Sequence, residues 1–266
     1  MIMSVAVAGI PFDANSSFLQ GPALAPARIR EAFNSDASNC FTESGRDLKS
    51  DDGWTDTGDL DVSGADPFTD ITSQVQTLAS RYRKVFFLGG DHSVTFPVVR
   101  GLNAHGNKLS ILHLDAHADL YDDFGGNPHS HASPFARILE NGLAGRVVQV
   151  GIRTLNKHQR EQAKRFGVEI IEMKHWRDEH KFNFEGPVYV SLDMDAIDPA
   201  YAPGVSHYEP GGFTSRQVIR ILQGLKARVA GADLVEFNPN RDPTGTTGML
   251  AGKLFKEILD LLLRTP

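Results

Sequence analysis

Cysteine is nearly absent from this 266-residue chain: Cys40 stands alone, so no internal disulfide framework is possible. A single free thiol fits a reducing compartment. No run approaches the roughly 20 apolar residues that a membrane-spanning helix needs. Lys and Arg (27) are outnumbered by Asp and Glu (33), the net charge is −6, and no basic cluster occurs. Electrostatic binding to nucleic acid or to a membrane surface is therefore not expected. Pro/Ser-rich linkers, low-complexity tracts and internal repeats are also missing. The start, MIMSVAVAGIPFD, lacks the basic region and small-residue cleavage site of a signal peptide and reads as a first strand. These features together predict a cytoplasmic protein. A hydrophobic content of 41% and a charged content of 23% are ordinary for a folded domain and exclude disordered and fibrous classes.

What is present is a regular alternation of short apolar runs with helical patterns. Candidate strands are 5–10, 85–88, 111–114, 147–150, 168–171, 188–192 and 232–235. Near-continuous apolar runs of this kind suit strands covered on both faces of a parallel sheet. Helices are predicted from Pro26 to Phe33, and from an N-cap at Ser133 with Pro134 at N1 to Glu140. Two more start at Ser215, with Val218, Ile219, Leu222, Leu225 and Val229 on one face, and near Met249. Residues 36–59 are polar and read as a surface excursion. The pattern predicts an α/β sandwich with a mainly parallel sheet, built as a single domain over residues 1–266.

Each of several strands is followed by chemistry-bearing residues. Gly89-Gly90-Asp91-His92-Ser93 follows one, Asp115-Ala116-His117-Ala118-Asp119 a second, Asp193-Met194-Asp195 a third, and Glu236 a fourth. Ligands of open α/β sheets bind beyond the carboxyl ends of the strands. Spacings of i, i+2 and i+4 put side chains on one side of an extended backbone, so Asp115, His117, Asp119, Asp193 and Asp195 should converge, with His92 beside them. Four crowded carboxylates repel one another unless cations are present, and two divalent ions balance them formally. Four Asp and two His form a hard, oxygen-rich set without thiolate, better suited to Mn²⁺ than to Zn²⁺. A calcium-binding EF-hand does not fit: Asp198 or Leu120 would occupy the position that requires glycine.

GGDHS, DAHADLY, SLDMDAIDPAYAPG and VEFNP, in this order, resemble the signatures of the arginase/agmatinase (ureohydrolase) family. Gly21-Pro22 with Arg28 to Arg30, and Asp56 to Asp59, extend the resemblance upstream. GNPHSHASPFARILE, VGIRTLNKHQREQAKRFGVE and APGVSHYEPGGFTSRQVIRIL look most like plant-type arginases. The resemblance implies a three-layer α/β/α fold, two Mn²⁺ ions, trimers or hexamers, and hydrolysis of a small guanidino substrate to urea. It implies metal ligation by His92, Asp115, His117, Asp119, Asp193 and Asp195, with His92 and His117 on different ions and Asp115 and Asp193 bridging.

Two ions roughly 3.5–4 Å apart can share and acidify a water. Asp119 would then orient the attack, and His131, which matches the family's proton-shuttling histidine, would protonate the departing amine. His129 is its rival outside the motif. Glu236 would pair with the guanidinium. Asn127, Ser130 and Asn156 are candidate contacts to the substrate tail. Blander roles fall to Asp91 as a turn or supporting group, to His113 as a packed strand residue, to Asp198 as a turn residue, and to Asp122-Asp123 as a loop tip. L-Arginine is the expected substrate, with agmatine or another guanidino or formimino compound as the alternative. A binuclear phosphoesterase should show basic groups to hold phosphate. A catalytically silent metal-binding protein would need neither His131 nor Glu236.

Overall fold

The computed structural model describes residues 5–103 and 108–265. The part of the first-strand expectation that covers residues 1–4 lies outside the described residues. Eight strands occur among the described residues: β1 (Val5–Gly9), β2 (Trp54–Asp59), β3 (Lys84–Leu88), β4 (Leu109–Leu114), β5 (Ala144–Ile152), β6 (Glu169–Glu172), β7 (Pro187–Asp193) and β8 (Arg228–Val235). They form one sheet in the order β2-β1-β3-β8-β7-β4-β5-β6. Every pair is parallel, so all the carboxyl ends emerge along one edge.

The helices are α1 (Ala25–Phe33), α2 (Pro67–Arg81), α3 (Thr95–Leu102), α4 (Pro134–Glu140), α5 (Lys157–Phe166), α6 (Ser215–Gly224) and α7 (Thr246–Arg264). Strand residues alternate between two cores, as the pleat requires. Phe86, Leu88, Val190 and Leu192 pack with α1, α6 and α7. Val85, Phe87, Ile111 and Tyr189 pack with α2, α3, α4 and α5. Three layers result, with the sheet buried between the helices.

Two local expectations are corrected. The polar stretch 36–59 is not all loop, because its end forms β2. This strand pairs only with β1 and leaves most of its side chains exposed, so it needs no apolar pattern. Arg30 of α1 secures it through Asp56 (2.7 Å) and Asp59 (2.5 Å). Val229 is not on the helix that begins at Ser215. That helix opens with a Thr214–Gln217 capping box and ends at Gly224, and Val229 belongs to β8.

Candidate active site

The four adjacent central strands β3, β8, β7 and β4 deliver all the candidate catalytic and metal-binding groups to one edge. The convergence does not come from extended strand exits, as the i, i+2 spacing suggested. Asp115 Oδ1 accepts the His117 N–H (2.6 Å), and Asp193 Oδ1 accepts the Asp195 N–H (2.7 Å). Each carboxylate thus closes a tight turn that folds residue i+2 back beside it. After β3, Asp91 caps the following turn by accepting the Ser93 N–H (3.0 Å), and His92 begins that turn. Asp119 (φ 50°) and Glu236 (φ 64°) are left-handed, the only non-glycine residues so placed among the described residues. Such strain gathers at functional sites.

His92 Nδ1 lies 3.1, 3.0 and 3.1 Å from Oδ2 of Asp115, Asp119 and Asp193. It is buried and makes no hydrogen bond among the described residues. Its other nitrogen, Nε2, sits 2.9 Å from Ser191 Oγ, which donates to Asp233 Oδ1 at 2.7 Å. Ser191 Oγ therefore accepts from Nε2–H, and Nδ1 turns a lone pair toward three carboxylate oxygens. A buried meeting of one nitrogen and three oxygen lone pairs is the environment of a cation.

A second group adjoins the first. His117 Nδ1 is 3.0 Å from Asp195 Oδ2 and 3.4 Å from Asp115 Oδ1. Asp115 is thus common to both groups, one oxygen facing each. Burial, together with the neighbouring Asp195 and Asp115 charges, pushes the Asp193 carboxyl well above its ordinary range. Burial also raises Asp195, against the pull of His117. This donor set fits two divalent ions and offers no soft ligand.

His113 proves to be more than packing. It is fully buried, its ring stacks on Phe135 at 3.9 Å, and its Nε2 donates to Asp115 Oδ2 at 2.7 Å. Gln149 Nε2 donates to its Nδ1 (3.1 Å) and to Ala118 O (2.6 Å), which fixes this tautomer. Beneath His92, Asp233 accepts from Ser191, Tyr189 (2.8 Å) and Thr95 (2.7 Å), so the support of the imidazole is itself anchored.

Beside the cluster, His131 Nδ1 meets Glu236 Oε1 at 2.8 Å, and the same oxygen accepts the His92 N–H at 2.9 Å. Burial works against a charged imidazole, but the Glu236 carboxylate, together with the Asp91 and Asp119 charges, outweighs it and lifts His131 to about 9. Burial likewise works against the Glu236 charge, and His131 with His92 more than offsets it. Both residues line a cavity of about 200 Å³ with His117, Asp119, Asp193 and Asp195.

Ser17, Thr154, His207 and Glu209 complete part of its wall. Of these, Thr154 and His207 lie in loops a sequence argument could reach, whereas Ser17 carries no motif signal. Asn127, Ser130 and Asn156 are not among the residues lining it. Asn127 Nδ2 bonds Asn15 Oδ1, Ser130 is buried, and Asn156 caps α5 and donates to the Tyr121 hydroxyl. Their polar groups are spent on loop and helix structure. His129 stacks on Phe96 and meets Phe68 edge-on, away from the cavity lining.

A family model described as the Arginase family matches residues 3–260. Arginase 1, mitochondrial, of Arabidopsis thaliana is 47% identical, over 96% of this chain and 80% of that protein. Arginase 2, chloroplastic/mitochondrial, of the same plant is 43% identical, over 96% and 79%. The solved structure of the arginase from Medicago truncatula superposes with a TM-score of 0.91 at 42% identity, covering 97% of this chain and 86% of that one. The organelle names of these relatives overturn the expectation of a cytoplasmic protein. No helix among the described residues is long and apolar enough to cross a membrane. Matched motifs, the shared fold and identity over nearly its whole length show that this chain belongs to the arginase family.

Proposed function

We propose that this chain is an arginase, a manganese-dependent hydrolase that cleaves the guanidino group of L-arginine to urea and ornithine. One observation carries the reading: Asp115 is shared by two metal-suited groups that open onto the same cavity as the His131–Glu236 pair. His92, Asp115, Asp119 and Asp193 would hold one ion, and His117, Asp115, Asp193 and Asp195 the other. Bound divalent ions supply charge balance for the aspartates and a water acidic enough to attack near neutral pH.

The chain's own residues do the rest. Glu236 Oε1 is occupied by His92 and His131, and Oε2, with no hydrogen bond among the described residues, receives the guanidinium N–H groups. Asp119, turned inward by its left-handed backbone, presents its carboxylate to the hydrogen of the attacking water and sets its approach. His131 Nδ1 is committed to Glu236, so Nε2 is the nitrogen that protonates the leaving amine. The single domain of this proposal rests on the sequence pattern, and the trimeric or hexameric assembly on the family resemblance.

Among the described residues, no lysine or arginine lines the cavity, which argues against a phosphate substrate. The same fact favours a second reading. Glu209 at the cavity wall and the lack of a basic partner suit agmatine, which has no α-carboxylate. Steady-state urea release from both compounds decides between them. A preference for agmatine of about a hundredfold or more, equal to about 2.7 kcal/mol in transition-state binding, overturns arginine as the substrate.

A further inference from the structure

His131 is buried, yet it must regain a proton in every turnover that the proposed function requires. The protein group facing its working nitrogen is Ser17, whose Oγ lies 2.8 Å from Nε2 and whose main-chain N–H meets the neutral form of the same atom at 3.2 Å. Ser17 is exposed and lines the cavity, so it touches both the imidazole and solvent.

Its position is built. Two residues earlier, Asn15 spends four polar groups on holding the loop. Its N–H donates to Asp91 Oδ2 (3.0 Å), its Nδ2 donates to Ser93 Oγ (3.2 Å), its Oδ1 accepts from Asn127 Nδ2 (3.0 Å), and its carbonyl accepts the His131 N–H (3.2 Å). Ser16 Oγ adds a contact to Asp91. The loop is therefore tied to the β3 turn, to the 124–130 loop and to His131 itself.

We propose that Ser17 is a positioning and proton-relay residue for His131, linking Nε2 to solvent at the cavity mouth. A hydroxyl can accept from a protonated Nε2 and donate to a neutral one, which a main-chain N–H cannot do. After Nε2 has given its proton to the leaving amine, the Ser17 Oγ–H proton passes to Nε2 in concert with proton uptake by Oγ, so that no alkoxide forms. Oγ takes that proton from a buffer acid in the mouth, leaving the conjugate base of that buffer. No charge is created or lost across the two transfers.

The inference rests on the hydrolase reading above, and an isosteric pair of variants tests it. Ser17→Thr keeps the hydroxyl, whereas Ser17→Val fills the same volume without one. With manganese-loaded protein and arginine, Ser17→Thr should keep kcat within about twofold. Ser17→Val should lose about tenfold or more in kcat with KM little changed, as expected when a proton-transfer step is impaired. Raising the concentration of imidazole buffer should restore Ser17→Val and leave the wild type unchanged.

Equal kcat values for the two variants overturn the proposal, and so does a loss in Ser17→Val that buffer does not reverse. Metal content and circular dichroism of both variants, with Ser17→Ala as a smaller change, separate a relay defect from misfolding. A wild-type protein that releases no urea from any guanidino compound refutes the functional reading itself, and the relay with it.

Discussion

Asp115→Asn probes the sharing of one carboxylate between two metal groups. Oδ1 of Asp115 accepts the His117 N–H at 2.6 Å, and Oδ2 accepts His113 Nε2–H at 2.7 Å. Asparagine offers one oxygen and one NH₂. Either orientation of the amide sets a donor against a donor, and a buried unmet donor costs about 1–3 kcal/mol.

The larger effect falls on metal binding, because both groups lose the same anion. For the wild type, free Mn²⁺ at a hundred times its Kd adds about 2.7 kcal/mol of stability. At roughly 2–4 °C per kcal/mol, the upper size range for which that slope is known, Tm rises by about 5–11 °C. Asp115→Asn should respond by less than about 1 °C and retain almost no metal after desalting. Asp195→Asn removes a member of one group only, so it should keep about one ion per chain and part of the thermal response. The assay is a Mn²⁺ titration of Tm after chelation, with metal content measured by plasma mass spectrometry. Two retained ions and a wild-type Tm response in Asp115→Asn would refute the shared-carboxylate argument.

Three further outcomes follow from the geometry. His131→Asn should lower kcat by about 10²–10⁴-fold with metal content unchanged, while His129→Asn, stacked away from the cavity lining, should leave kcat near wild type in the same urea assay. His131 is raised to about 9, so its charged form and the stability that form contributes are complete below its ordinary value near 6.5 and are lost as pH rises through about 9. Glu236→Gln leaves only the Asp91 and Asp119 charges against burial and should move His131 titration, read from histidine ring-proton NMR of metal-free protein, down from about 9 toward its ordinary value; no movement refutes the ion pair's role. Gly90→Ala would set a Cβ 1.8 Å from the Phe12 carbonyl oxygen. Backbone must shift to relieve that overlap, so thermal unfolding should show a loss of about 1–3 kcal/mol, together with weaker metal retention from the displaced His92 turn.

Much of this architecture was legible because both signals were strong. Central strands such as β4 and β7 are apolar on both faces and read as continuous runs. The groups at their ends stand out because carboxylates and imidazoles have no packing reason to follow such runs. β2 was hidden because an edge strand with exposed side chains needs only backbone pairing. The convergence of Asp115 with His117, and of Asp193 with Asp195, was anticipated on the wrong ground, since carboxylate-closed turns achieve it and strand pleating does not. His113 looked like packing because a buried strand position does not reveal its hydrogen-bond partner. Ser17 gave no signal, lying in a polar loop placed by contacts 75 to 114 residues away in sequence. Asn127, Ser130 and Asn156 lie outside the cavity lining, because polar residues near a site are as readily engaged by turns and caps.

The two left-handed residues show how fold and site depend on each other. Asp119 and Glu236 each hold a conformation that costs of order 1–3 kcal/mol for a non-glycine residue, and glycine at either position would relieve it. Glycine would also remove the carboxylate that faces His92 Nδ1 in one case and His131 Nδ1 in the other. The strain is therefore the means by which the chain, leaving β4 and β8, turns an acid back over its own strand ends. Such conformations persist only where the surroundings over-determine them. Here they sit at the carboxyl ends of central strands, each paired on both sides and packed between two helical layers. Buried acids beside strained backbone cost stability, and the sheet's central position, more than any single side chain, makes that cost bearable.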